Sequence, residues 1–177
     1  MTQYTFGLTR TTGHGHAFSQ VLSVAKPAAG AGWTYTNDGS YWELIDLVSM
    51  QLVTGSNAAN RQVTLTIAGG DGIALATLPS ASVQTASLTW HYTWSTEFSN
   101  FNTVVATAVT APLPAIFLQP MYSISVAVSA IDTSDQISAI RLYAERFVTG
   151  EAGYLLGVKE VENRRQLAAI LGASEAA

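Results

Sequence analysis

RQVTLTIAGGDGIALATL, residues 61–78, carries the plainest structural signal in the chain. Val63, Leu65 and Ile67 alternate with Gln62, Thr64 and Thr66, the period of two by which a strand turns apolar side chains to one face and polar ones to the other. GGDG at 69–72 supplies the residues of a tight turn, so IALATL is expected to return beside the first strand as a hairpin. On the C-terminal side, VQTASLTWHYTW (83–94) sets Ala86, Leu88, Trp90, Tyr92 and Trp94 against Thr85, Ser87, Thr89, His91 and Thr93, and reads as one long strand. On the N-terminal side, YWELIDLVSMQLVT (41–54) is apolar at Trp42, Leu44, Val48, Met50 and Leu52, with Asp46 breaking the face. A strand is predicted there, a helix being the competing reading.

Further strands are predicted at 103–111, at 115–118 after the Pro112-Leu113-Pro114 break, and at 122–131, where Ile124, Val126 and Val128 alternate with Ser123, Ser125 and Ala127. ISAIRLYAERFV (137–148) completes the set, with Ile140, Leu142, Ala144 and Val148 opposed to Arg141, Tyr143, Glu145 and Phe147. About eight short strands with no helix between them predict an all-β antiparallel sandwich, jelly-roll-like, with an immunoglobulin-like sandwich as the alternative.

This body is expected over residues 41–150. Residues 1–40 show neither a helical nor a strand period and contain the run Lys26-Pro27-Ala28-Ala29-Gly30-Ala31-Gly32, so they read as an extended arm. Residues 151–177 form a tail in which VKEVENRRQLAAIL (158–171) holds five of the 20 charged residues and predicts a short helix. Val158, Val161, Leu167, Ile170 and Leu171 give it an apolar side; being marginal alone, it must dock, on its own sandwich or on a neighbouring subunit.

Composition narrows function. Charged residues are 11% of the 177, whereas Ser and Thr number 36 and Ala 26, so the chain is polar without being charged. Eight Lys and Arg, scattered except for Arg164-Arg165, and a net charge of -4 offer no cationic stripe for a phosphate backbone, and no nucleic-acid partner is expected. The absence of cysteine excludes disulfides, thiolate metal sites and Cys nucleophiles. Neither a cationic start followed by an apolar run nor a long apolar stretch is seen, so neither a secretory leader nor a membrane partner is expected.

Catalytic chemistry finds few footholds. His14 and His16 could share a metal, but a third ligand and a rigid frame are wanting in a Gly-Thr setting, and His91 reads as a surface histidine. Asp132-Thr133-Ser134-Asp135 is oxygen-rich like a calcium loop, yet lacks the Gly and distal Glu of that pattern and is built of ordinary turn formers; Asp71 in GGDG is turn chemistry by the same reasoning. No nucleophile elbow, phosphate loop or framed carboxylate pair is present, so the chain is expected not to be an enzyme and to need no cofactor. A cupin- or glycosidase-like enzyme would need His14 and His16 folded into the barrel, or two acids facing across a cleft. Trp33, Tyr35, Tyr41, Trp42, Trp90, Tyr92 and Trp94 are dense enough for a glycan platform, with Trp33, Trp90 or Trp94 lining a groove, but alternating aromatics in a sandwich more often serve core and interfaces. Tyr4, Phe6, Phe18, Trp33, Tyr35, Tyr154, Leu167 and Ile170 are the expected partner contacts.

ANRQVTLTIAGGDG (59–72), VQTASLTWHYTW and LPAIFLQPMYSISVAVSAIDTSDQISAIRLYAERF (113–147) resemble small virion structural proteins of tailed bacteriophages, over roughly residues 41–148. The resemblance implies a jelly-roll-like decoration, cement, neck or tail component, with no catalytic residues to carry over. A capsid cement protein on the virion exterior, made in the host cytoplasm, would clamp major capsid subunits and copies of itself through its arms, a trimer being the expected closed oligomer. A carbohydrate- or receptor-binding module of a tail or head fibre is the alternative.

Overall fold

The computed structural model describes residues 17–39, 41–97 and 103–148, and within them the chain is all-β. The strands are β1 (Ala17–Ser23), β2 (Trp33–Thr36), β3 (Tyr41–Val53), β4 (Arg61–Ala68), β5 (Ala74–Gln84), β6 (Thr89–Ser95), β7 (Thr103–Val105), β8 (Ala108–Pro112), β9 (Phe117–Leu118), β10 (Ser123–Val128) and β11 (Gln136–Val148). Seven form one sheet in the order β1-β11-β3-β6-β8-β7, with β9 beside β3, and four form the other, β2-β10-β4-β5. Leaving out the inserted β7, β8 and β9, the first strand pairs with the last, the second with the second-last, the third with β6 and the fourth with the fifth, all antiparallel. One long folded ribbon rolled across two sheets is a jelly roll, as expected.

Alternation builds the core. Val63, Leu65 and Ile67 of β4 and Ile124, Val126 and Val128 of β10 face Val48, Met50, Leu52, Tyr92, Trp94, Ile137 and Leu142 of the larger sheet, and all are buried. Pro79 lies in β5, an edge strand, where a missing N–H breaks no inner ladder.

Four expectations are corrected. Residues 17–36 are not an arm: β1 pairs with β11 and β2 with β10, partners far away in sequence that no local pattern reveals. The Lys26–Gly32 run is a packed crossover between the sheets, in which a Cβ on Gly32 would overlap the Val126 carbonyl and Gly30 takes φ +74°. Residues 85–88 are a turn between β5 and β6 rather than strand, with Ser87 at φ 58°. The predicted strand at 103–111 is the hairpin of β7 and β8, turned at Ala106, and β8 runs parallel to β6, so the larger sheet is mixed.

In β3, Trp42 and Leu44 do not share a face with Val48, Met50 and Leu52. Ile45 opposes Ala144 and Leu47 opposes Tyr143, which leaves Asp46 as the extra residue of a β-bulge. The bulge flips the phase, so Glu43 and Ile45 point inward while Trp42 and Leu44 point out.

Candidate functional site

The connections β1–β2, β3–β4, β5–β6 and β10–β11 meet at one end of the sandwich, where Arg61 is fully enclosed. Its Nε and Nη2 donate to the Asp135 carboxylate at 2.9 and 3.1 Å, Nη2 also to Asp132 Oδ2 at 3.3 Å, and Nη1 to the carbonyls of Asn57 and Ala59 at 2.7 and 2.9 Å. Asp135, itself buried, further accepts from the Gly55 and Asp132 amides, while its carbonyl accepts from the Gly30 amide. A buried cation satisfied in this way braces the β3–β4 and β10–β11 loops, alongside the bonds of Thr54 to Thr85 and Leu88 and of Asn57 to Asp132. The Asp132-Ser134 turn is thereby spoken for: Asp132 accepts from Arg61, Asn57 and Ser134, and bonds from Ser134 and Asn57 hold its carboxyl down to about 2. The calcium reading is replaced by this internal arginine, and no cluster of three metal-ligating side chains occurs among the described residues. Asp71 accepts from the Ile73 amide at 3.0 Å, as turn chemistry requires.

A second buried charge ties the sheets together. Glu43 of β3 accepts from Tyr35 of β2 at 2.8 and 2.9 Å and from Arg146 of β11 at 2.6–2.8 Å. Burial, reinforced by the Glu43 carboxylate, pushes the Tyr35 phenol well above its ordinary value. Tyr35 therefore serves inside the fold. Trp33 is 4% exposed, with its indole donating to the Met50 sulfur, and both residues belong to β2 of the smaller sheet rather than to an arm. Phe18 lies in β1 opposite Arg146. Tyr4, Phe6, Tyr154, Leu167 and Ile170, with His14, His16 and the predicted C-terminal helix, lie outside the described residues.

Among the described residues Trp33, Trp90 and Trp94 take the core roles expected of alternating aromatics and do not line a groove. Trp94 stacks on Tyr92 in the core, Trp33 is enclosed, and Trp90 is half-buried against the same cluster. His91 is exposed, with Gln51 at 3.4 Å.

Two outer surfaces are apolar instead. At one end of the smaller sheet, Ile73 is 65%, Met121 64% and Leu75 52% exposed. They are drawn together by the Gly69–Ile73 turn bond and by Gly70, where a Cβ would stand 3.2 Å from that of Met121. On the outer face of the larger sheet, Trp42, Phe117 and Phe147 touch, with ring centroids 6.4 and 5.5 Å apart. Leu44, opposite Phe117 and Glu145, adjoins them. Beside them Asp46, Glu145 and Glu97 form an acidic group; partial burial first, then the two neighbouring carboxylates, raise the Asp46 carboxyl. No cation pairs with these three among the described residues. Both surfaces escape a reading of the sequence that seeks partner contacts in arms. The signals were the Asp46 phase break and a Phe next to Leu118 just beyond Leu-Pro.

No protein-family model and no curated protein matches the sequence. Among solved structures, the chain is similar to one from the structure of infectious bursal disease virus Gx strain, at 19% identity and TM-score 0.35, over 84% of this chain and 33% of that one. It is also similar to dimeric latent PorU from Porphyromonas gingivalis, at 13% and 0.38 over 84% and 14%. A chain from infectious bursal disease virus Gt strain gives 11% and 0.24 over 94% and 50%. The protein thus spans between a seventh and a half of these three chains.

Proposed function

We propose that this chain is a structural subunit of a virus particle rather than an enzyme, and within that class a capsid decoration or cement protein of a tailed phage. It would join major capsid subunits and further copies of itself on the particle exterior. The observation that carries the reading is the pairing of a rigid jelly roll, braced at one end by Arg61, with Ile73, Leu75 and Met121 presented at one end of the smaller sheet. Apolar groups gathered on the surface suit a contact that is made once and kept. A chain with 11% charged residues is correspondingly suited to permanent burial in a lattice.

A glycan-binding module is less favoured by the same geometry. Sugar platforms present coplanar rings, whereas Trp42 and Phe117 are inclined at 54° and Phe117 and Phe147 at 63°. Mass spectrometry of particles purified from the virus that encodes the chain is the direct test, with a fixed ratio to the major capsid protein expected. Its absence from particles would refute the proposal. Ile73→Ser with Met121→Ser should lower occupancy on the shell while leaving the fold intact.

A further inference from the structure

We infer that Ile73, Leu75 and Met121 are the apolar centre of a contact with a shell protein whose matching surface is an apolar recess rimmed by lysine or arginine. The inference rests on the virion reading proposed above and names the chemistry of the partner at that site.

Three observations carry it. The first is the backbone at Met121. Tyr122 donates its amide to the Gln119 carbonyl at 3.0 Å, closing a turn with Pro120 second and Met121 third, and φ at Met121 is 68°. Glycine is the residue of least cost in that left-handed conformation. Met121 is nonetheless 64% exposed, so its side chain gains little from the core in return for its backbone, and an outlier of this kind points to a use outside the fold. The second is size. Three side chains fall well short of the ~800 Å² that each partner buries in a stable interface, so they form its centre, where a few residues hold most of the binding energy. The third is charge. The connections around the group, residues 37–39, 69–73 and 119–122, carry Asp38 and Asp71, both exposed, and no Lys, Arg or His. The Met121 amide donates to the Asn37 carbonyl at 3.3 Å, and a Cβ on Gly39 would stand 3.7 Å from that of Pro120, which sets Asp38 beside the Met121 turn. The bond of Asp71 to the Ile73 amide sets the second acid beside Ile73. Arg146 is already engaged by Glu43 and Tyr35. Two copies meeting through this face would bring Asp38 and Asp71 of both together around the apolar centre, whereas a basic rim on a different protein neutralises them. The recess of about 420 Å³ between residues 58–60 and 85–86 is no socket for the group on a second copy, since Ala58, Ala59, Asn60, Thr85 and Ala86 line it and none is basic.

The test is co-sedimentation of the purified full-length chain with shells of the encoding virus assembled without it, at low and at high salt. Met121→Gly should lower the affinity roughly tenfold, as loss of a central contact residue does. Its Tm should hold or rise, because glycine accepts the left-handed backbone; a merely structural Met121 would lose Tm and affinity together. Asp38→Ser with Asp71→Ser, whose hydroxyl can still accept from the Ile73 amide, should weaken binding at low salt and flatten its salt dependence. On the shell, Met121 should resist peroxide oxidation to the sulfoxide, with buried Met50 as the unchanged standard. A parent chain that neither binds shells nor occurs in particles would sink the virion reading and this inference with it. A parent that binds while Met121→Gly binds equally well, with Met121 still open to oxidation, would overturn this inference alone. Binding indifferent to salt and to the serine changes would overturn the basic rim. A dimer in light scattering that Met121→Gly dissolves would overturn the assignment in favour of a second copy.

Discussion

Replacing Asp135 by Ala removes two of the five hydrogen bonds of Arg61 and the one carboxylate enclosed with it. What remains is Asp132 Oδ2 at 3.3 Å and two carbonyls, so a guanidinium with no exposed surface keeps its charge but loses its main counter-charge. Breaking a buried pair from one side costs about 3–5 kcal/mol, because the survivor stays desolvated. In a chain of this size each kcal/mol moves the midpoint by roughly 2–4 °C, so Tm should fall by roughly 6–20 °C. Urea unfolding followed by tryptophan fluorescence, which reports the buried Trp33 and Trp94, should show a lower midpoint with an unchanged slope. Arg61→Met with Asp135→Leu should cost clearly less than the sum of the single changes, since the double variant buries no lone charge. A loss below about 1 kcal/mol for Asp135→Ala, or strict additivity, would show that the loop end is not held by this pair.

Asp46→Asn should stabilise the protein at neutral pH. The Asp46 carboxyl is raised in the folded state, so the native form binds the proton more tightly than the unfolded chain and stability falls as pH rises above about 3.8; the gain should vanish below that pH in paired urea titrations. Asp132 has the opposite sign: its carboxyl is lowered to about 2, so its contribution is complete above the ordinary carboxylate value and is lost as pH falls through about 2, and Asp132→Asn should flatten that part of the acid-stability curve. Gly32→Ala should lower Tm more than an exposed loop change does, because the added Cβ meets the Val126 carbonyl in the middle of β10; an unchanged Tm would mean that the crossover is free to move.

The body of the fold was legible because most of its strands are half-buried and alternate. β4 and β10 read directly, and so did Ile140, Leu142 and Ala144 of β11, whereas Ile137 shares their burial only because of the register shift between Ser138 and Arg141. What stayed hidden depends on partners distant in sequence. β2 is four residues long, too short for any period to register, and exists only as an addition to β10, whereas β9 falls within the strand predicted at 115–118. Asp46 shows a different limit. Its break in the face was visible, but a period of two cannot tell a polar intruder from a bulge, and only the pairing with β11 reveals the reversed phase. Expecting partner contacts in arms misplaced Trp33 and Tyr35 for a related reason: aromatic residues beside a Gly-Ala run look solvated until the crossover carries them over the core.

The inserted β9 gives the sharpest check on the aromatic face, because two adjacent residues have opposite surroundings. Leu118 is fully enclosed opposite Glu43, whereas Phe117 points outward opposite Leu44, between Trp42 and Phe147. The insertion therefore closes the core beneath the end of β3 and completes the exposed patch above it in a single step. Leu118→Ala should cost about 2–5 kcal/mol, as for any enclosed leucine whose cavity cannot fully collapse. Phe117→Ala removes a ring that is 44% exposed, so a cost of less than about 0.5 kcal/mol is expected. Equal costs for Leu118→Ala and Phe117→Ala would mean that both rows are internal and that the face belongs to the core.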